Sequence, residues 1–114
     1  MLTVKEKGML LLIIDHCKRI EEKMKGVDKE EFFVNDDIKE IVCFNLLQIG
    51  ELANKFTDKF LNDYPDVPWE EMRGMRNRIV HGYGTIKIER VWNTATKDIK
   101  PLREYCEKIL KENN

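Results

Sequence analysis

The run Asp36-Asp37-Ile38-Lys39-Glu40-Ile41-Val42-Cys43-Phe44-Asn45-Leu46-Leu47-Gln48-Ile49-Gly50-Glu51-Leu52-Ala53-Asn54-Lys55-Phe56 carries the clearest architectural signal in the chain. Ile38, Val42, Asn45, Ile49, Leu52, Ala53 and Phe56 recur at three- and four-residue steps and form one face of a helix. Ile41, Phe44, Leu46 and Leu47 add a second face. A helix that is apolar over so much of its circumference is usually buried on two sides. In a protein of 114 residues the second side is available to another subunit.

The same periodicity extends in both directions. Met9, Leu12, Ile13, His16, Ile20 and Met24 mark a helix over about residues 4–25, widened by Leu10, Ile14 and Cys17. Thr3 can cap its start and Gly26 can end it. Val27–Asn35 reads as a charged loop with Phe32 and Phe33 turned back onto the core, and Asp36 as the cap of the next helix. Thr57–Val67 reads as a turn region containing at most one helical turn. Pro68, followed by Glu70 and Glu71, opens a helix that runs to Val80 or His81, where Gly82 and Gly84 break it. From Lys87 onward, Ile88, Val91, Trp92, Ala95, Ile99, Leu102, Cys106 and Ile109 form a buried stripe, and Pro101 should kink or split it. No strand-like alternation, repeat or low-complexity tract is present. The fold expected is all-α, an antiparallel up-and-down helical bundle of four to five helices, with residues 1–114 as a single domain.

Composition narrows the chemistry. Hydrophobic residues make up 42% and charged residues 36%, the balance of an ordered, soluble domain. The chain contains no serine, which removes every Ser-nucleophile mechanism. Twenty Lys and Arg stand against 21 Asp and Glu, so the protein does not coat nucleic acid by bulk charge. Locally the balance differs: Arg73, Arg76, Arg78, Lys87 and Arg90 face only Glu89 between residues 73 and 90. Cys17, Cys43 and Cys106 fit no CxxC pattern and lie in apolar runs, so they read as small core residues in a reducing cytoplasm. The longest uninterrupted apolar run, Met9–Ile14, is too short for a membrane span, and the N-terminal segment lacks the pattern of a secretory signal. His16 and His81 lie far apart in sequence, which makes a weak case for metal, and no cofactor is expected.

The residues most suited to chemistry lie between Pro68 and Tyr83. Pro68, Met72, Met75 and Ile79 point one way, while Arg73, Arg76, Asn77, Val80 and His81 spread over the other half of the helix. Arg offers a planar, permanently charged fork for a phosphodiester. His can take and give a proton near neutrality, and Asn can orient an imidazole or hold a hydroxyl. A metal-free ribonuclease needs little more: a base for the ribose 2′-OH, a cation for the developing charge and an acid for the leaving oxygen. DNA lacks the 2′-OH. Arg76 and His81 are five residues apart, about 140° around a regular helix. They converge only through long side chains, a helix break beside Gly82, or a two-fold dimer that doubles both groups.

Blander readings fit the same spacing. Arg73 and Arg78 serve as ordinary surface cations as readily as RNA- or phosphate-binding residues. His81 near a helix C-terminus serves equally to satisfy free carbonyls. His16, within an apolar stripe, reads as a partly buried core residue; Glu51 reads as solvent-facing or paired with an Arg; Trp69 and Trp92 read as core anchors.

The stretch Val67-Pro68-Trp69-Glu70-Glu71-Met72-Arg73-Gly74-Met75-Arg76-Asn77-Arg78-Ile79-Val80-His81-Gly82-Tyr83 resembles the signature of HepT-like proteins of the HEPN superfamily. Its kernel is Arg76, four residues, His81, one residue, Tyr83; Gln48–Asn54 is similar to that family's second helix. The resemblance implies a homodimeric HEPN bundle acting as a metal-independent endoribonuclease, the toxin of a toxin–antitoxin pair. It implies Arg76 and His81 as catalytic residues with Asn77 assisting. It also implies a minimal nucleotidyltransferase antitoxin that transfers AMP to Tyr83. Such a modification places phosphate beside Arg76 and His81 and repels RNA. A non-catalytic helper subunit, binding a nucleotidyltransferase or nucleotide, is the alternative within the same fold.

Overall fold

The computed structural model describes residues 1–113. Helix α1 (Val4–Met24) opens with a capping box: the Thr3 hydroxyl accepts from the Glu6 amide at 3.0 Å, and the Glu6 carboxylate accepts from the Thr3 amide at 2.9 Å. Gly26, at φ +71°, turns the chain after its last turn. Residues 27–35, expected as a loop, contain a short helix α2 (Lys29–Val34) capped by Asp28 and anchored by the fully buried Phe32. Phe33, expected to turn inward with it, is exposed. Helix α3 (Asp36–Ala53) is capped by Asn35, whose carbonyl oxygen accepts from the Ile38 amide at 3.0 Å; Asp36 lies inside the helix.

Helix α4 (Asp58–Asp63), capped by Thr57, carries an aromatic cluster beneath the chain entering the next helix. Phe56 stacks on Phe60 at 4.1 Å, and Trp69 tilts against both while its indole N–H donates to the Tyr64 carbonyl at 3.1 Å. Helix α5 (Trp69–Gly82) passes into a 3₁₀ turn (Tyr83–Thr85). The last rod combines α6 (Ile88–Asn93), one π-helical stretch (Thr94–Asp98) and α7 (Ile99–Glu112). Pro101 accounts for its middle. A proline ring meets the carbonyl four residues back, here Lys97, and the widened turn lets the rod continue instead of breaking.

The four long rods pack as an all-α bundle. Helix α3 lies between α1 and α5, and α1 lies between α3 and α7. Leu10, Ile13, Ile20, Leu46, Ile49, Met72, Met75, Ile99 and Leu102 fill the centre and are fully buried. Leu12, expected in the stripe of α1, points outward instead, because the buried arc is centred on Ile13, Cys17 and Ile20. Arg103 clamps α7 to α1 by reaching Glu21 with Nε and Nη2 and Glu107 with Nη1. Among the described residues no helix is long and apolar enough to cross a membrane.

Helices α3 and α5 cross closely at Gly50. A Cβ there would overlap the Cβ of Arg76 and stand 2.7 Å from the Met72 carbonyl oxygen, so α3 contributes no side chain to this contact and the Arg76 stem packs directly on its backbone. Gly8, by contrast, sits on an exposed turn of α1 with nothing within 4 Å of a Cβ. The two glycines should therefore respond in opposite directions. Gly50→Ala should cost about 3 kcal/mol and lower Tm by about 10 °C, whereas Gly8→Ala should raise Tm by about 3 °C. Thermal denaturation followed by circular dichroism checks both signs.

Cys17, Cys43 and Cys106 are all buried. Burial pushes each thiol up, Cys43 to about 11 and Cys106 to about 12. The folded state thus holds its protons where the unfolded chain releases them. That contribution to stability is complete below the ordinary thiol value of 9.0 and is lost as pH rises from 9.0 towards 11 and beyond. Denaturation midpoints measured across that interval should fall, and less steeply in a Cys43→Ala, Cys106→Ala variant.

Candidate active site

Helix α5 presents its buried face through Trp69, Met72, Met75 and Ile79, which fixes the direction of everything else on it. Arg76 lies on the flank turned to α3. Its Nε donates to Glu51 Oε1 and its Nη1 donates to Asn77 Oδ1 at 2.9 Å. These two contacts hold the guanidinium plane, and among the described residues its Nη2 has no hydrogen-bond partner. Glu51 sits next to Gly50, so the close crossing that seats Arg76 also delivers its carboxylate. The pairing of Glu51 with an Arg was one of its two expected roles, and it is the one found.

His81 occupies the other flank. With Arg78, Thr85, Ile86, Lys87 and Arg90 it lines an open cavity of about 370 Å³ between the end of α5, the 3₁₀ turn and α6. Four of its lining side chains are basic (His81 included) and no carboxylate lines it. Of the two arginines expected as surface cations or RNA- or phosphate-binding residues, Arg78 is exposed and lines this cavity, whereas Arg73 is half-buried on α5 and does not. The helix break expected beside His81 falls one residue later. Helix α5 runs unbroken through both Arg76 and His81, so their angular separation persists, and Arg76 does not line the cavity. Within one chain, therefore, the two groups do not share a crevice.

Tyr83 begins the 3₁₀ turn with its side chain 46% exposed. Partial burial, then the nearby Cys43, Glu40 and Asp36 of α3, push its phenol above the ordinary value. The phenol is therefore harder to ionise than a free tyrosine, and its attack as a nucleophile calls for a general base.

Several residues were not assigned from spacing. Lys87 and Arg90 belonged to the basic window but carried no role, because only the turn at Tyr83–Thr85 brings them beside His81. Asn45 is buried on α3; its Nδ2 donates to the Ile41 carbonyl at 2.8 Å, and its Oδ1 stands 2.8 Å from Nδ1 of the half-buried His16. With the amide so oriented, His16 Nδ1 is the donor. His16 is thus a satisfied polar residue at the α1–α3 seam, in keeping with a structural role.

A family model described as Ribonuclease HepT-like matches residues 13–109. A protein of Methanocaldococcus jannaschii, provisionally named an RNase, is 34% identical over 106 residues, which cover 93% of this chain and 91% of the relative. A protein of Thermococcus cleftensis named "Probable ribonuclease HepT" is 30% identical over 105 residues, covering 92% and 96% of the two chains. Another provisionally named RNase, from Caldanaerobacter subterraneus subsp. tengcongensis, is 28% identical over 100 residues, covering 88% and 89%. No solved structure matches the chain. With a family model spanning residues 13–109 and relatives aligned over nearly their whole length, the chain belongs to the HepT-like ribonuclease family of the HEPN superfamily.

Proposed function

We propose that the protein is a metal-independent endoribonuclease that works as a homodimer in the cytoplasm, and that it is the toxin of a toxin–antitoxin pair. The observation that carries this reading is that one helix holds an oriented guanidinium, Arg76, on its α3 flank and an imidazole, His81, in a cation-lined cavity on its α6 flank. His81 takes the proton of the ribose 2′-OH. The 2′-oxygen attacks the adjacent phosphorus as the bond to the 5′-oxygen breaks. Arg76, steadied by Glu51 and Asn77, neutralises the charge that builds on the non-bridging oxygens. The partner subunit's His81, protonated, gives its proton to the leaving 5′-oxygen. The products are a 2′,3′-cyclic phosphate and a 5′-hydroxyl.

The dimer reading has its own support. A groove of about 640 Å³ runs between Arg19 and Lys23 of α1 and Asp37 and Glu40 of α3, floored by Ile41 and Phe44. Phe44 is 55% exposed and Ile41 39% exposed, on the second apolar face of α3. Opposite charges flanking an apolar strip suit a two-fold contact, where each copy meets its own complement. Arg76 and His81 diverge in one chain, so a second copy is what brings the two kinds of group onto one phosphate.

Regulation follows from Tyr83. A minimal nucleotidyltransferase supplies the base that the neutral phenol lacks. The Tyr83 oxygen attacks the α-phosphorus of ATP, its proton passes to that base, pyrophosphate leaves, and the tyrosyl-AMP phosphate adds negative charge two residues from His81 that repels RNA. One feature favours the helper-subunit alternative: Arg76 already spends one donor on Glu51 and shares no cavity with His81.

Cleavage decides between them. The wild-type protein should cut single-stranded RNA in excess EDTA. Arg76→Ala and His81→Ala should each lower kcat/KM at least about 100-fold while keeping wild-type helicity. Undiminished cutting by both variants rejects the site, and no cutting by wild type together with tight nucleotidyltransferase binding establishes the helper. Phe44→Glu should convert dimer to monomer in light scattering and lose cleavage with it; a fully active monomer contradicts the composite site.

A further inference from the structure

The cavity beside His81 has more charge than the cleavage step uses. In the proposed reaction Arg76 is the group that neutralises the scissile phosphate, yet Arg78, Lys87 and Arg90 stand with His81 around a cavity that Arg76 does not line. Nothing in the chemistry of bond breaking calls for three further cations there. Their arrangement is maintained by the fold. Thr85 Oγ1 donates to the Gly82 carbonyl at 3.0 Å and closes the turn that carries the chain from His81 to Lys87. Glu89, the one carboxylate in the basic window, is drawn to Lys29 of α2 at 2.7 Å, away from the cavity. Lys87 and Arg90 do border Glu71, Glu89 and Asp98 on the far side of α6, but none of these lines the cavity itself.

We infer that this cavity is a second phosphate subsite. It holds the backbone phosphate next to the scissile one, and so sets how the RNA strand is threaded past His81. The inference rests on the ribonuclease reading for its substrate, an RNA strand, and adds Lys87 and Arg90 as positioning residues. A volume of about 370 Å³ suits one nucleotide unit rather than a whole oligonucleotide. Arg90 offers a forked donor and Lys87 a point charge, with the Arg78 guanidinium lying back along α5 beside Gly74 as a further positive charge, a set that grips phosphate oxygens without reading the base. Ile86 gives the cavity one apolar wall, against which the sugar can rest. The subsite therefore binds strands of any sequence and requires at least two successive phosphates.

The test separates binding from cutting. A short, dye-labelled 2′-O-methyl RNA lacks the nucleophile and reports binding alone by fluorescence anisotropy. Lys87→Gln with Arg90→Gln should weaken its binding about tenfold and reduce the slope of log affinity against log salt by about 0.7, the share of one single-strand phosphate. A charge-matched control, Lys5→Gln with Lys108→Gln at two exposed sites elsewhere, should bind as wild type. Equal weakening by both pairs means general charge attraction and overturns the subsite. So does unaltered affinity and slope in the cavity pair, even if wild-type protein cuts RNA normally. If the cavity pair alone loses binding while wild type never cuts unmethylated RNA, the subsite stands and the ribonuclease reading fails.

Discussion

The contact on which the site depends is the bare crossing of α3 and α5 at Gly50. With no Cβ on one partner, the two backbones approach until Arg76 lies directly on α3. Glu51, the next residue, then meets the Arg76 guanidinium, and Asn77 takes another of its N–H groups. Packing and electrostatics are thus one event. The same approach buries Met72 and Met75 and aims the polar half of α5 outward. A bulkier residue at position 50 would separate the helices and misplace the guanidinium in one stroke.

The crossing also explains why Arg76 and His81 diverge within one chain. It pins Arg76 to the α3 flank of a helix that remains regular as far as Gly82. His81 is carried round to the α6 flank, into the company of Arg78, Lys87 and Arg90. A flexible helix could bring the two together; this one is held by its buried face. Rigidity within the protomer and assembly between protomers are, in our reading, two parts of one design. The proposed control through Tyr83 is compatible with the same layout, since the 3₁₀ turn leaves that phenol exposed at the end of α5.

Much of this was legible from the amino-acid order. The two-sided character of α3 is written in Ile41 and Phe44 on one side, which are left exposed, and Val42 and Ile49 on the other; Leu46, read with the first side, is instead fully buried, and Leu47 is half-buried. The Thr3 cap, the core methionines of α5 and the disturbance ahead of Pro101 follow from local rules. The 140° divergence of Arg76 and His81 follows from helix geometry alone. The remainder depended on tertiary context. Helix α2 is six residues long, below what propensity can stabilise, and exists because Phe32 is buried. Leu12 faces outward although its spacing allows either side. The cavity was hidden because it is assembled across a turn whose geometry, set by the Thr85–Gly82 contact, no periodicity announces.

The central claim is that cutting requires imidazoles from two copies. Wild-type and His81→Ala protomers, mixed at fixed total concentration and allowed to exchange, test it through RNA cleavage in EDTA. Only dimers with two wild-type protomers should cut, so activity should follow the square of the wild-type fraction, about one quarter at equal mixing. A straight-line dependence, with about half the activity at equal mixing, would mean that each protomer cuts alone and would contradict the shared site.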